Sequence, residues 1–148
     1  MPTTYVLGMN AKIYHGDAGD DTPSAMTELD NVRNVTLTME AGEADITARA
    51  NSGWRATAPT LKTCTVEFEM VWKPGDAGFD AVKAAFLANT TLALAVLDGD
   101  EATVGTQGPI GDFGITNFSR NEQLEEAITV SVTAKLAVYT DWYTKAGA

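Results

Sequence analysis

Two segments of the chain alternate apolar and polar residues with a period of two. From Thr63 to Trp72, the residues Cys64, Val66, Phe68, Met70 and Trp72 fall on one side, and Thr63, Thr65, Glu67 and Glu69 on the other. From Ile128 to Val138, the apolar side is Ile128, Val130, Val132, Ala134, Leu136 and Val138, and the polar side is Thr129, Ser131, Thr133 and Lys135. Alternation of this kind belongs to strands of an antiparallel sheet that face a core on one side and water on the other. Val35 to Glu40 repeats the pattern, with Val35, Leu37 and Met39 opposed to Thr36, Thr38 and Glu40. Lys12 to Tyr14, Thr91 to Leu97 and Ile115 to Arg120 read as shorter strands.

The period changes once. Lys73-Pro74-Gly75 breaks the strand before it, and Phe79, Val82, Ala85 and Phe86 then recur at helical spacing. This predicts a helix from Ala77 to Leu87, capped by Asp76 or Asp80 and ended at Asn89, a residue that tolerates the left-handed conformation. His15 to Thr27 and Glu101 to Gly111 read as loops, the second opened by the turn signal Asp98-Gly99-Asp100. The start of the chain before Lys12 and the tail from Tyr143 to Ala148 are expected to be loose. The expected fold is mainly β: an antiparallel β-sandwich or half-barrel of about six strands, with one packed α-helix and a long projecting loop or hairpin. One domain over 1–148 is the simplest division of a chain this short.

Composition changes this picture in one respect. The apolar share of 45% and charged share of 20% are ordinary, but the net charge of −10 is not. Such a surface repels nucleic acid and anionic membrane. Cys64 is the single cysteine, so no disulfide can form within the chain. The start MPTTYVLGMNAKIY lacks the basic-then-apolar pattern of a secretion signal, and no apolar run is long enough for a membrane helix, so synthesis and first residence in the cytoplasm are expected.

Reactive chemistry finds little support. His15 is the only histidine, which removes most catalytic triads and zinc sites. Its neighbours Asp17, Asp20 and Asp21 do not have the spacing of a calcium loop. Cys64 lies in an apolar register, where a thiol is inert. Glu40, Glu43 and Asp45 form a carboxylate cluster with no strand predicted to hold them at a fixed separation, as glycoside hydrolysis would require. The expectation is no enzyme, no cofactor and no metal.

The polar stretch Ala41 to Pro59 is the sharper signal. It holds Gly42, Gly53 and Trp54 between two clear strands and is long for a hairpin connection. Asp45-Ile46-Thr47 and Trp54 suggest order within it, such as a hairpin that leaves the domain; a loose surface loop is the other reading. An aromatic anchor on an extended arm suits it to gripping a neighbour.

At this point the chain resembles the major tail tube proteins of long-tailed bacteriophages. The likeness rests on Glu43-Ala44-Asp45-Ile46-Thr47, then Ser52-Gly53-Trp54, then the strand Thr63 to Trp72, a helix, an apolar strand and a final long alternating strand. It covers 30–140 and lies in the order of elements more than in any one motif. The resemblance implies a structural virion protein that assembles into stacked hexameric rings. These form the tail tube around a tape-measure protein, and DNA passes through the tube without specific binding. Tail terminator or tail tip proteins are the other implied partners, with no membrane contact. Six subunits at −10 each would give a ring of about −60. Expected ring-to-ring contacts are Glu43, Asp45, Thr47 and Trp54. The expected lumen face is Thr63, Thr65, Glu67 and Glu69, or else Thr129, Ser131 and Thr133. Non-contractile tails, contractile tails and related injection systems are not distinguished. An alternative reading is a carbohydrate-binding β-sandwich module that presents Trp54, Trp72 or Trp142 to a sugar.

Overall fold

The computed structural model describes residues 7–146, and within them the chain forms one antiparallel sheet and one helix. The strands are β1 (Lys12–Gly16), β2 (Thr27–Glu28), β3 (Val32–Asp45), β4 (Thr57–Val71), β5 (Thr91–Leu97), β6 (Gln107–Asn121) and β7 (Thr129–Thr144), with α1 (Ala77–Ala88) between β4 and β5. Their order across the seven-stranded sheet is β2-β1-β5-β6-β7-β4-β3. The mainly β class with one helix is therefore as expected, and the sheet is not closed into a barrel within one chain.

The β6–β7 hairpin carries both halves of the sheet. β5 pairs with β6 from Ile110 to Gly114, whereas β4 pairs with β7 from Thr129 to Lys135. The β6–β7 register shifts three times, around Ile110/Gly111 and Asp112/Phe113 within the part of β6 that pairs with β5, and around Ile115/Asn117 just beyond it. Each shift bends and twists the ladder. The halves consequently face each other: Ile13, Leu92 and Leu94 share a core with Val66, Phe68, Met70, Val130 and Val132. Glycines let β6 lie close against its neighbouring strands. A Cβ on Gly108 would run into the carbonyl of Val96, and one on Gly111 would lie 2.7 Å from the carbonyl oxygen of Val138. The two ends of the sheet are tied by Leu29-Asp30-Asn31. The Leu29 N–H donates to the Ile13 carbonyl at 2.8 Å, and the Asn31 side chain donates to the Val71 carbonyl at 2.9 Å.

The helix covers the open side of this fold. Asp76 accepts from the Phe79 N–H at 3.1 Å and so supplies the cap, while Asn89 ends the helix at φ 56°. Phe79, Val82 and Ala85 are buried, and Phe79 meets Trp72 edge-on at 4.8 Å. A second cluster, Tyr14, Met26, Ala93, Ala95, Leu97 and Ile110, fills the other face of β5. That strand is buried on both sides, which explains its unbroken apolar sequence.

Several expectations are corrected. The sheet has seven strands rather than six, because Thr27–Glu28 forms a short pair with β1 inside the expected loop His15 to Thr27. His15 itself belongs to β1 and is half-buried, not a solvated loop residue. The loop expected from Glu101 to Gly111 ends early, since β6 begins at Gln107; its Gly- and Pro-containing start has little alternation to mark it as a strand. The tail is ordered further than expected, as β7 runs to Thr144 and the Lys145 N–H donates to the Thr106 carbonyl at 2.9 Å. The parts of the expected loose ends at 1–6 and 147–148 lie outside the described residues.

Phe68 and Val132 are register partners and are 4% and 1% exposed. Phe68→Ala should therefore cost about 3–5 kcal/mol of unfolding free energy, the usual loss for a buried phenylalanine. Thr65→Ala, on the opposite face, should cost far less. Urea denaturation of the two variants checks this; equal, small losses would show that the core lies on the other face.

Candidate assembly surfaces

The first surface is an arm. β4 pairs with β7 only from Thr65 to Val71, yet its pairing with β3 continues as far as Asp45↔Thr57. The distal hairpin therefore leaves the sheet with no other strand beside it among the described residues. The polar stretch Ala41 to Pro59 is thus strand at both its ends, to Asp45 and from Thr57, and the carboxylates Glu40, Glu43 and Asp45 are held by β3 after all. They do not form a hydrolytic pair, because Glu40 and Glu43 stand on either side of a register shift on an exposed ribbon with no enclosing cavity walls.

The tip of the arm is folded, which excludes the loose-loop reading. A hydrogen bond from the Thr47 hydroxyl, and with it one from the Thr47 N–H at 2.9 Å, holds the Asp45 carboxyl pKa below the usual carboxylate value. The Thr47 hydroxyl accepts from the Ala56 N–H at 2.9 Å. Arg49–Asn51 form a 3-10 turn, and the Asn51 side chain donates to the Trp54 carbonyl at 3.0 Å. Ser52 and Gly53 then take positive φ values of 55° and 83°, so the turn needs a glycine where the sequence has one. Among the four expected contact residues, Asp45 and Thr47 thus build the tip. Trp54 is 77% exposed and Glu43 is also exposed, which leaves both free to meet a partner. Ile46 and Leu61 add exposed apolar surface that polarity-based reading passed over, since each stands alone among polar neighbours.

A second surface is the edge of the sheet. β3, 14 residues long, is the terminal strand, and its outer backbone groups have no strand partner among the described residues. Val35 and Met39 on its apolar side are 40% and 44% exposed. A long edge of this kind is a template for pairing with another chain.

The third surface is a polar face. Across the ladders Thr38 aligns with Thr65 and Lys135, Thr36 with Glu67 and Thr133, and Glu69 with Ser131. The two sets offered as alternatives by the sequence, Thr63, Thr65, Glu67 and Glu69 against Thr129, Ser131 and Thr133, therefore belong to one face. Asn117 and Ser119 of β6 extend it, opposite Thr133 and Ser131. Their membership depends on pairing register across strands, for which the sequence carries no signal.

Reactive groups do not gather anywhere comparable. Cys64 is buried and desolvation raises its thiol pKa, so it stays protonated. Among the described residues no three metal-ligating side chains come together. A cleft of about 650 Å³ runs between β1 and β3, but its lining is mixed and carries no converging set of catalytic groups. The tryptophans do not share a platform: Trp54 is at the arm tip, Trp72 packs on Phe79 at the far end of β4 with Arg120 over its ring, and Trp142 on β7 donates to Gln107 on β6. That scatter removes the basis for the sugar-binding alternative.

A projecting arm, an unpaired apolar edge and a broad polar strand face define a structural subunit, whose working parts are surfaces. The family model described as phage tail tube protein matches residues 10–138. The chain belongs to that family: it is a structural component of the virion tail and not an enzyme. No curated protein matches it at a significant level. Solved structures share the fold at low identity. The tail of an empty gene transfer agent particle, refined with C6 symmetry, has a TM-score of 0.71 and 19% identity, covering 95% of this chain and 98% of that one. The SPP1 tail tube, from solid-state NMR and cryo-EM, has a TM-score of 0.73 and 15% identity, covering 97% and 81%. The six-fold symmetrised baseplate of the anti-feeding prophage has a TM-score of 0.61 and 7% identity, covering 99% and 98%.

His15 gives a pH test of the fold beneath these surfaces. Its Nε2 is buried without a hydrogen-bond partner, and desolvation lowers its pKa against the opposing pull of Asp76 and Asp17. Unfolding therefore takes up a proton in the window between the lowered folded value and about 6.5. Stability should be level with respect to this group above that window and fall as pH drops through it. Thermal melts of the wild type and His15→Gln across this range check the point; the difference between them should shrink towards acid pH.

Proposed function

We propose that six copies of this chain close into a ring and that the rings stack into the tail tube through which DNA leaves the particle. The observation that carries this reading is the long unpaired edge of β3 running into the arm. One strand thus serves lateral pairing along its lower part and reaches beyond the domain along its upper part. Pairing of the edge with the next subunit removes an exposed ladder that an isolated sheet would carry as an aggregation hazard. The C6 symmetry used for the gene transfer agent tail supports six as the number.

In this reading the shared polar face, with Thr63, Thr65, Glu67, Glu69, Thr129, Ser131 and Thr133, lines the lumen. Hydroxyls and carboxylates predominate there; the cations beside them are Lys135 and Arg33, the latter paired with Glu69 at 3.6 Å, and a net charge of −10 per subunit keeps DNA moving. Assembly takes place in the host cytoplasm around a tape-measure protein, with terminator and tip proteins at the two ends. The arm, through Glu43, Trp54 and the tip built by Asp45 and Thr47, bridges one ring to the next.

Pure protein at high concentration should form rings or tubes visible by negative-stain microscopy. Sedimentation as a 15.7 kDa monomer at every concentration and salt would overturn the reading. A second test separates assembly from folding. Replacing Ala44 to Arg55 by a Gly-Ser turn should leave circular dichroism and cooperative unfolding nearly unchanged, since the arm contributes nothing to either core cluster. The shortened protein should make no tubes. Trp54→Ala alone should weaken tube growth, by about 2 kcal/mol of contact energy for a buried aromatic anchor. Normal tubes from the shortened chain would refute the bridging role.

A further inference from the structure

The arm tip and the β6–β7 loop lie at opposite ends of β4. The tip joins β3 to β4 ahead of Thr57, whereas the loop is tied to the other end of the same strand, where the Trp72 N–H donates to the Ile128 carbonyl at 2.8 Å. The 15 residues of β4 separate them by about 50 Å. Two ends of one molecule that bind each other give a head-to-tail contact that repeats without closing, as a stack requires.

Their charges are opposite. The tip from Ile46 to Ala56 carries Arg49 and Arg55, and the acid that borders it, Asp45, is engaged by the Thr47 N–H at 2.9 Å. Both arginines are exposed, and neither has a carboxylate within 4 Å among the described residues. They place two available cations at the end of an exposed arm on a chain of net charge −10. The loop, NEQLEEA, carries three glutamates and no base. Glu122 is engaged by Arg120 at 3.3 Å; Glu125 and Glu126 are exposed and have no cation partner among the described residues. Each end also presents exposed apolar surface, Trp54 at 77% beside Ile46 on the tip and Leu124 at 100% on the loop.

We infer that the arm tip of one subunit docks on the β6–β7 loop of a second copy in the adjacent ring. Arg49 and Arg55 meet Glu125 and Glu126 there, and Trp54 covers Leu124. Guanidinium–carboxylate pairs supply orientation, and the shielded aromatic contact supplies adhesion. The inference rests on the proposed bridging role of the arm and names the surface that receives it.

Charge exchange tests it. Arg49→Glu with Arg55→Glu gives rings acidic at both ends, and Glu125→Lys with Glu126→Lys gives rings basic at both ends. Each variant alone should form rings that do not stack. An equimolar mixture should stack, because every contact then joins opposite charges. All four positions are exposed, so folding should be unaffected; Arg49→Gln with Arg55→Gln and Glu125→Gln with Glu126→Gln provide milder pairs that should each shorten tubes. Electron microscopy reads rings and tubes in the same field. Normal stacking by either charge-reversed variant alone would overturn the inference, as would failure of the mixture to stack. Tubes from the protein with the shortened arm would instead overturn the bridging reading beneath it. Loss of stacking in the arginine variant with normal stacking in the glutamate variant would leave the bridge standing and place its acceptor elsewhere.

Discussion

Everything else in this fold hangs on the bent β6–β7 hairpin. Its two strands are 15 and 16 residues long, much longer than any single flat layer of so small a domain can use. The register shifts at its middle turn one continuous sheet over on itself, so that β5 on one half and β4 on the other share a core. Small residues make this possible at a specific cost in conformational freedom. Gly108 and Gly111 sit where β6 lies close against β5 and β7 respectively, and any side chain there would force β6 away from its neighbour. A flat hairpin of the same length would leave Leu92, Leu94 and Phe113 uncovered, and each is 5% exposed or less in the folded chain.

Folding the sheet this way decides which edges remain. β2 is two residues long and offers almost nothing to pair with. β3 offers its whole length, and its apolar side stays partly open at Val35 and Met39. The core is satisfied without β3's outer edge, and the two functions are therefore separable in one strand. Its inner side holds the domain together, and its outer side is available to a neighbour. Natural sheets usually protect such an edge with charge, proline or a covering element. Here the apolar side of the edge carries Val35, Leu37 and Met39 in a row, which suits a strand meant to be paired.

What was legible in the sequence follows from which signals are local. Period-two alternation located β4 and β7 and their core faces, because a half-buried strand must alternate. The helix, its Asp76 cap and its Asn89 stop were equally local. The full length of β3 and β4 was not, since beyond Glu40 and before Thr63 the ribbon is exposed on both faces and loses any alternation. The start of β6 was missed for the opposite reason: Gly108, Pro109, Ile110 and Gly111 are all buried, so no polar side marks the period. The polar face could be drawn strand by strand but not assembled, because register between Thr65, Lys135 and Thr38 is a tertiary fact. Within the arm, Asp45 and Thr47 were read as contacts, and they turn out to be the hydrogen-bonding residues that shape the tip.

The absence of a gathered reactive site and the distribution of charge are two sides of one design. A tube subunit has to present the same three surfaces many times over, so small errors in each contact are repeated along the whole length. Rigid strands limit such errors better than loops do. The surfaces that matter here are accordingly strand-borne, and the one loop-like contact, the arm tip, is braced by Asp45, Thr47 and Asn51. Net charge then works against association between like subunits at long range, and only a local reversal of sign can overcome it at contact. In the proposed docking, Arg49 and Arg55 supply that reversal at the end of the arm, away from the body of the domain. Repulsion between misaligned copies and attraction between aligned ones thus come from the same acidic sequence.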